Sequence, residues 1–231
     1  MRTIGLLGGM SWESSVLYEE LINTEVRARL GGLHSADLIV RSYDFAEIER
    51  LQTAGEWDTA GELLGADAAR LVVAGAELIV LCTNTMHRVA DDIVAAIEVP
   101  FLHLADATAD AVVAAGIETV GLLGTKFTME QDFYRGRLES HGLQVVVPPE
   151  DERERVHAVI YDELVQGELR SSSREEYLDI IDRMSMKGAE GVIAGCTEIE
   201  LLITEEDVTI PFFPTTQIHA RAAVDLALGD R

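Results

Sequence analysis

Ile4-Gly5-Leu6-Leu7-Gly8 is the stretch from which the fold can be predicted, because Val120-Gly121-Leu122-Leu123-Gly124 repeats its pattern 116 residues later. Three further matches follow in the same order, at offsets of 113, 114 and 111 residues. They pair Gly75-Ala76-Glu77 with Gly188-Ala189-Glu190, Cys82-Thr83 with Cys196-Thr197, and Val99-Pro100-Phe101 with Ile210-Pro211-Phe212. Four ordered matches at nearly one offset indicate a chain built from two similar halves.

Short aliphatic runs alternate with longer amphipathic stretches, and this alternation is typical of parallel α/β sheets. We predict two similar flavodoxin-like α/β domains with parallel sheets: residues 1–100 with the C-terminal tail 212–231, and residues 101–211. The predicted strands are Thr3–Leu7, Leu38–Ser42, Leu78–Leu81, Phe101–Leu104, Thr119–Leu123, Gln144–Val147, Val192–Ala194 and Phe212–Phe213. The expected helix signals are capping boxes of Thr128 with Gln131 and of Ser173 with Glu176, and helix-ending glycines at Gly142, Gly188 and Gly229.

The chain is strongly acidic, with 41 acidic and 18 basic residues and a formal net charge of -23. Such a surface repels phosphate backbones and anionic lipid headgroups, so we expect no nucleic-acid and no membrane partner. The apolar run Leu71–Cys82 is interrupted by Gly75 and Glu77 and is shorter than the roughly 20 residues of a membrane span. Because no signal-peptide pattern is visible either, and both cysteines are expected as thiols, we predict a cytoplasmic protein.

The two cysteines stand at equivalent places in the repeat, each after an apolar strand and before small polar residues. Ligands of parallel sheets bind at the carboxyl ends of the strands, where both thiols are predicted to lie. A thiol at a helix N-terminus has a lowered pKa, which makes it a usable base. The hydroxyls of Thr83 and Thr85, the Asn84 side chain and nearby backbone amides are suited to holding a substrate carboxylate.

Two thiols in equivalent positions match the chemistry of inverting a stereocentre without a cofactor. One group removes the α-proton from one face while the other delivers a proton to the opposite face. Backbone donors near Gly8-Gly9 and Gly124-Thr125 can stabilise the enediolate-like charge. Glu198 lies two residues beyond Cys196 and disfavours a second negative charge there. We therefore expect Cys196 to be held mostly as thiol, or Glu198 to shuttle its proton, and Cys82 to be the readier thiolate.

Other motifs are weak. The first glycine loop is not a dinucleotide fingerprint, no Walker motif occurs, and the six histidines lack zinc-type spacing. We therefore expect no metal, pyridoxal phosphate or nucleotide. A Cys-His hydrolase with His87, His103 or His219 as base stays open, although it leaves one cysteine unexplained. A non-catalytic small-molecule-binding module is the alternative from another class.

The sequence resembles the aspartate/glutamate racemase superfamily, in particular its cofactor-independent amino-acid racemases of the aspartate racemase type. The resemblance covers nearly the whole chain. The matching segments are IGLLGGMSWES (4–14), LGGLHSA (30–36), LCTNTMH (81–87), LLGTKFTMEQDFYRGRL (122–138), GCTEIELL (195–202) and IHA (218–220). It implies two domains related by pseudo-twofold symmetry, a cleft between them, a homodimer, and Cys82 and Cys196 as the acid/base pair for an amino-acid substrate.

The resemblance also implies a set of substrate contacts, each with a simpler alternative. Met10 is alternatively a core residue, Ser11 a helix cap, and Gln52 or Glu198 a solvated polar group. The remaining implied contacts are Thr83, Asn84, Thr85, Thr125 and Thr197.

Two departures from the family pattern bear on the substrate. Pro214 stands where family members commonly have Asp. The positions around Gln52 and Val165, basic in strict aspartate racemases, are uncharged here. We therefore expect racemisation of aspartate, glutamate or a broader range of amino acids. A cysteine-dependent decarboxylase or cis–trans isomerase of the same superfamily is the rival enzyme.

Overall fold

Eight strands form two four-stranded parallel sheets in the structure, a computed structural model that describes residues 1–229. The strands are β1 (Ile4–Gly8), β2 (Leu38–Ser42), β3 (Leu78–Leu81), β4 (Phe101–Leu102), β5 (Thr119–Gly124), β6 (Gln144–Val146), β7 (Gly191–Gly195) and β8 (Phe212–Pro214). Their orders are β2-β1-β3-β4 and β6-β5-β7-β8. The identical orders confirm the prediction of two similar parallel α/β domains, and each observed strand boundary lies within two residues of the predicted one.

The α-helices connect these strands on both sides of each sheet. They are α1 (Trp12–Leu30), α2 (Phe45–Ala54), α3 (Trp57–Val73), α4 (Ala90–Ala95), α5 (Leu104–Ala114), α6 (Lys126–Glu130), α7 (Asp132–Ser140), α8 (Glu150–Asp162), α9 (Ser171–Met186), α10 (Thr197–Leu202) and α11 (Thr215–Leu228). Short 3-10 helices cover Thr85–Val89, Leu164–Gln166 and Glu205–Asp207. Within residues 1–229, no helix combines the length and apolar character that crossing a bilayer requires.

The central strands β1, β3 and β7 are buried along their whole length, and β5 is buried from Val120 onward, since helices cover both faces of each sheet. In the first sheet, Leu7 and Leu81 contribute to a core that includes Ile48 of α2 and Leu64 of α3. In the second, Leu123 packs in a core with residues of α8 and α9 such as Val159 and Ile180. Burial on both faces explains why these strands are continuous apolar runs in the sequence.

The chain folds into two compact units, and both of their boundaries differ from the predicted ones. Unit 1 comprises residues 1–104 and 219–229, and unit 2 comprises residues 105–218. Strand β4, predicted in the second domain, pairs with β3 of unit 1. Strand β8, predicted in the first domain, pairs with β7 of unit 2. The fourth strand of each repeat therefore completes the sheet of its own half.

The helix ends follow the glycine pattern but not the predicted capping boxes. Gly142, Gly188 and Gly229 have φ angles of 88°, 102° and 84° and lie just beyond helix ends, as predicted. Thr128 instead lies inside α6, because Thr125 already caps that helix. Ser173 lies inside α9, where its hydroxyl donates to the buried Glu163 carboxylate at 2.5 Å. A capping box does join Thr204 and Asp207.

Gly9 allows the chain to turn away from β1 at very close range to the neighbouring strand. Its φ angle is 81°, a left-handed conformation that side chains disfavour. A Cβ at this position would lie 2.3 Å from the Tyr43 amide nitrogen and 2.5 Å from the Tyr43 carbonyl oxygen. The turn therefore requires glycine for both its conformation and its space.

We predict that Gly9→Ala destabilises the protein by about 3 kcal/mol, because backbone strain and a collision with backbone atoms add. Gly55→Ala is the matched control: φ there is 71°, but nothing lies within 4 Å of the added Cβ. It is expected to lose only about 1 kcal/mol. Urea unfolding of both variants measures the difference, and equal losses would show that the close approach to Tyr43 is unimportant.

Candidate active site

Each sheet brings its predicted site residues to one edge. The strand order reverses between β1 and β3 in the first sheet and between β5 and β7 in the second, so the loops that leave these strands separate at the carboxyl edge. Cys82 directly follows β3, and Cys196 directly follows β7. The Cys82 amide donates to the Leu7 carbonyl at 2.9 Å, which holds this cysteine beside the end of β1.

In unit 1, the loop after β1 carries Met10 and Ser11. The Ser11 hydroxyl accepts from the Ser14 amide at 3.3 Å and caps α1. Met10 belongs to the apolar core of the unit. Met10 is therefore a core residue and Ser11 a helix cap, as the simpler alternatives stated. Both residues also lie beside the end of β1, at the candidate site.

Three other predicted contacts of unit 1 are largely withdrawn from solvent. Asn84 and Thr85 are buried directly after the Cys82-Thr83 pair. Gln52 is also buried, and its side-chain amide donates to the Met86 sulfur at 3.1 Å. The alternative that Gln52 is a solvated polar group is wrong, because its side chain is buried. Its contact with Met86 joins the end of α2 to the 3-10 helix that follows Cys82.

The environment of Cys82 corrects the expected thiol chemistry. The side chain is fully buried, and burial, followed by the charge of Glu19, raises the pKa of the Cys82 thiol well above its ordinary value. The helix-terminus argument predicted a lowered pKa, but the helix after Cys82 is a short 3-10 helix that begins only at Thr85. Burial raises the pKa because a desolvated thiolate loses the hydration that stabilises its charge. That Cys82 is the readier thiolate of the two cysteines stays a prediction.

Three histidines of unit 1 form a buried cluster with Tyr18. The His87 ring centroid lies 4.6 Å from that of His103 and 5.8 Å from that of His219. His87 donates through Nδ1 to the Thr83 carbonyl at 2.7 Å and accepts through Nε2 from the Leu104 amide at 3.1 Å. These two bonds define a neutral tautomer that holds the turn after Cys82.

His219 is held in the same way by two partners. Its Nε2 donates to the Leu102 carbonyl at 3.1 Å, and its Nδ1 accepts from the Tyr18 hydroxyl at 2.8 Å. Burial, and then the neighbouring His87, lower the pKa of His219 to about 3. Both nitrogens of His87 and of His219 are thus occupied within the fold, which argues against either as the base of a Cys-His hydrolase.

In unit 2, Cys196 occupies the residue before the first turn of α10, as predicted. Its thiol donates to the Glu198 carboxylate at 2.9 Å. Burial raises the pKa of the Cys196 thiol, and the charge of Glu198 raises it further. Glu198 is itself buried, so the alternative that it is a solvated group is wrong. The expectation that Cys196 is held as thiol by Glu198 agrees with this geometry.

Thr125 and Thr197 complete the predicted residues of unit 2. Thr125 caps α6 by accepting from the Thr128 amide at 3.4 Å, the counterpart of Ser11 at the equivalent place of unit 1. The Thr197 hydroxyl accepts from the Thr216 hydroxyl at 3.1 Å. The structure thus gathers these residues at the carboxyl edge of the second sheet.

Glu200 is a buried carboxyl group at this edge that the motifs did not single out. It accepts from the Thr216 amide at 2.8 Å, and burial raises its pKa to about 8. The only signal in the sequence is its place in the run Cys196-Thr197-Glu198-Ile199-Glu200, where the helical turn puts it near Glu198. A pattern of residue types does not reveal that such a glutamate is buried.

The basic groups near the two uncharged positions are paired within the protein. Arg50, near Gln52, contacts Glu56 at 3.3 Å. Near Val165, Arg170 lies 3.3 Å and Arg155 3.7 Å from the Glu163 carboxylate. Pro214 ends the edge strand β8, a position where proline does not interrupt a sheet.

Metal binding has no candidate in the part of the chain that the structure describes. Across residues 1–229, no three or more His, Cys, Asp and Glu side chains are grouped so that they could hold an ion.

Fold and site together define a class: duplicated parallel α/β proteins with one cysteine at the carboxyl edge of each sheet. Residues 7–223 match the family described as Asp/Glu/hydantoin racemase, and the chain belongs to that family.

Solved structures agree with this assignment. A candidate Asp/Glu racemase from Yersinia pestis is 54% identical, with a TM-score of 0.93 over 99% of this chain and 100% of its own. An aspartate racemase homologue from Pyrococcus horikoshii OT3 is 37% identical, with a TM-score of 0.86 over 99% and 100%. An arylmalonate decarboxylase mutant shares the fold at 14% identity and a TM-score of 0.54, over 99% and 94%.

We predict that the buried His219 makes stability depend on pH. Its pKa is about 3 in the folded state and ordinarily 6.5, so the unfolded chain binds a proton between these values that the folded protein does not. Stability contributed by neutral His219 is therefore complete above about pH 6.5 and lost as pH falls towards 3. The loss between pH 7 and pH 5 is about 2 kcal/mol for this group.

Urea unfolding of wild type and His219→Gln at pH 7 and pH 5 tests this, with the exposed His34→Gln as control. We expect the difference between the two pH values to shrink in His219→Gln only. If both variants keep the wild-type difference, His219 is not the group responsible.

Proposed function

We propose that the protein is a cofactor-independent amino-acid racemase that transfers protons between Cys82, Cys196 and the substrate α-carbon. The observation that carries the proposal is the placement of the two thiols. Each follows the third strand of its own sheet, at the switch point, 114 residues from its counterpart. Membership of the Asp/Glu/hydantoin racemase family supports the same reaction class.

The reaction needs one thiolate and one thiol. The thiolate sulfur takes the α-proton, the Cα–H electron pair moves into the carboxylate, and an enediolate-like intermediate forms. The other thiol then donates its proton to the opposite face of the α-carbon, which leaves the second sulfur as thiolate. Atoms and charge balance, and the roles of Cys82 and Cys196 exchange when the other enantiomer is consumed.

The raised pKa values of the two thiols suit this chemistry. Burial disfavours the thiolate in the free protein, but a thiolate that forms in a desolvated site is a strong base. The ammonium group of an amino-acid substrate brings a positive charge that favours its formation. Substrate binding and thiol activation are therefore coupled in this proposal.

The polar residues at the two sheet edges are proposed to hold the substrate. Backbone amides of the loops after β1 and β5 are suited to the developing negative charge. The proposed substrate-binding residues are Met10, Ser11, Gln52, Thr83, Asn84, Thr85, Thr125, Thr197 and Glu198.

The proposed substrates are aspartate, glutamate or a broader range of amino acids. The arginines near Gln52 and Val165 contact Glu56 and Glu163, and these pairings reduce their capacity to bind a second substrate carboxylate. The proposal also includes action in the cytoplasm as a homodimer, without metal, pyridoxal phosphate or nucleotide. Light scattering measures the dimer, and activity after exhaustive chelation and dialysis measures the cofactor requirement.

We predict that Cys82→Ser and Cys196→Ser each lower racemisation about a thousandfold, because a serine hydroxyl is a much weaker acid than a thiol. In D₂O, each variant is expected to wash deuterium into Cα of one enantiomer only, with retention, and the two variants should select opposite enantiomers. Chiral chromatography with mass spectrometry separates exchange from inversion.

Each serine variant serves as the control for the other, with circular dichroism to verify folding. Near wild-type racemisation by either variant would show that its thiol is dispensable. Release of carbon dioxide from a dicarboxylic substrate would indicate the decarboxylase alternative, and binding without exchange would indicate a binding module.

A chiral assay across the proteinogenic amino acids tests substrate range. We expect glutamate, aspartate and further amino acids to turn over, because the arginines near Gln52 and Val165 are already paired. If aspartate alone is racemised, a basic group elsewhere recognises the second carboxylate and this argument is wrong.

A further inference from the structure

Glu200 links the turn that carries Cys196 to the start of the helix after the outer strand. Its Oε1 accepts from the Thr216 amide at 2.8 Å, in the first turn of α11. The Thr216 hydroxyl in turn donates to the Thr197 hydroxyl at 3.1 Å, directly after Cys196. Because Glu200, Thr216 and Thr197 are all buried, water does not compete strongly for these bonds.

Unit 1 contains a bond of the same kind made by a different residue. His87, in the turn after Cys82, accepts from the Leu104 amide at the start of α5, the helix that follows β4. In both units, a buried side chain after the cysteine thus accepts from an amide that begins the helix after the outer strand. The two units differ in the acceptor, which is a neutral imidazole in unit 1 and a carboxyl group in unit 2.

We propose that Glu200 is a positioning residue, which holds the Cys196-Thr197-Glu198 turn against the first turn of α11 and controls the ionisation of the Cys196 thiol. The catalytic part of this inference rests on the proposed function, because it takes Cys196 to be a proton donor and acceptor.

The charge state of Glu200 gives it this control. With a pKa raised by burial to about 8, Glu200 is mostly protonated at neutral pH and becomes charged above pH 8. The charged form raises the pKa of the Cys196 thiol. The other titratable groups that interact with this pair are Glu198 of α10, Tyr134 of α7 and Tyr177 of α9. From α11, the facing residues Thr215 and Thr216 are uncharged.

The test that needs no substrate is titration of Cys196 in a Cys82→Ser background, where it is the one remaining thiol. Thiolate absorbance at 240 nm is followed against pH. We expect Glu200→Gln to lower the midpoint by about one pH unit, a tenfold gain in the ratio of thiolate to thiol at a given pH, because the amide stays neutral. The control is Glu206→Gln, an exposed glutamate of the same unit, and it should not shift the midpoint. Equal midpoints for both variants would overturn the proposal.

Kinetics with both cysteines present tests positioning. The amide introduced by Glu200→Gln keeps an oxygen that accepts from Thr216, whereas Glu200→Ala removes the acceptor. We expect kcat of Glu200→Ala at pH 7 to be about tenfold below that of Glu200→Gln, since small displacements of a reacting group strongly reduce rates. We expect the wild-type pH profile to change near pH 8, where Glu200 loses its proton, and the profile of Glu200→Gln to lack this change.

Equal kcat for the two variants, or an unchanged pH profile, would contradict the positioning role. If Glu200→Ala does not fold, Thr216→Val takes its place. This substitution removes the Thr216 hydroxyl, which donates to Thr197, and keeps the Glu200 carboxyl group. A wild-type protein that racemises nothing would refute the proposed function, while the Cys196 titration would still decide whether Glu200 controls this thiol.

Discussion

The order of strands in each parallel sheet is the constraint on which the rest of the structure depends. Because β1 and β3 are neighbours but their connections leave in opposite directions, the loops after them separate at one edge. The same holds for β5 and β7. Polar backbone groups and small side chains collect at these edges, and a cysteine placed directly after the third strand is held there by the sheet itself.

Burial then determines what the collected groups can do. His219 of unit 1 remains neutral because burial lowers its pKa to about 3, and Glu200 of unit 2 keeps its proton near neutral pH because burial raises its pKa to about 8. Both thiols are also disfavoured as anions. In the free protein, these buried groups are therefore protonated proton donors rather than ions. This state suits a reaction in which a proton is both removed and returned.

Much of the fold could be predicted from the sequence, because buried parallel strands are apolar runs and the repeat showed their equivalence. The predicted capping boxes failed because Thr125 meets the need of α6 three residues before Thr128. The predicted domain boundaries differ from the observed ones because they lie before the fourth strand of each half. They therefore assign β4 and β8 to the opposite domains, although the repeated X-Pro-Phe segment marks these two strands as equivalent. At the site, each cysteine directly follows the third strand of its sheet, as predicted, but the pKa values of the thiols depend on desolvation, and no residue pattern measures desolvation. The burial of Glu200 could not be predicted for the same reason, because the residue pattern does not show desolvation.

In the proposed mechanism, two thiols act on opposite faces of one carbon, and the course of optical rotation in D₂O distinguishes this mechanism from one with a single base. A single protiated enantiomer of glutamate is mixed with wild-type protein in D₂O and followed by polarimetry. In a two-base mechanism, the product carries deuterium, and its slower return makes the rotation pass through zero, reach the opposite sign and then decay to zero. A rotation that falls to zero without changing sign would contradict the two-base mechanism, because a single base would then serve both faces.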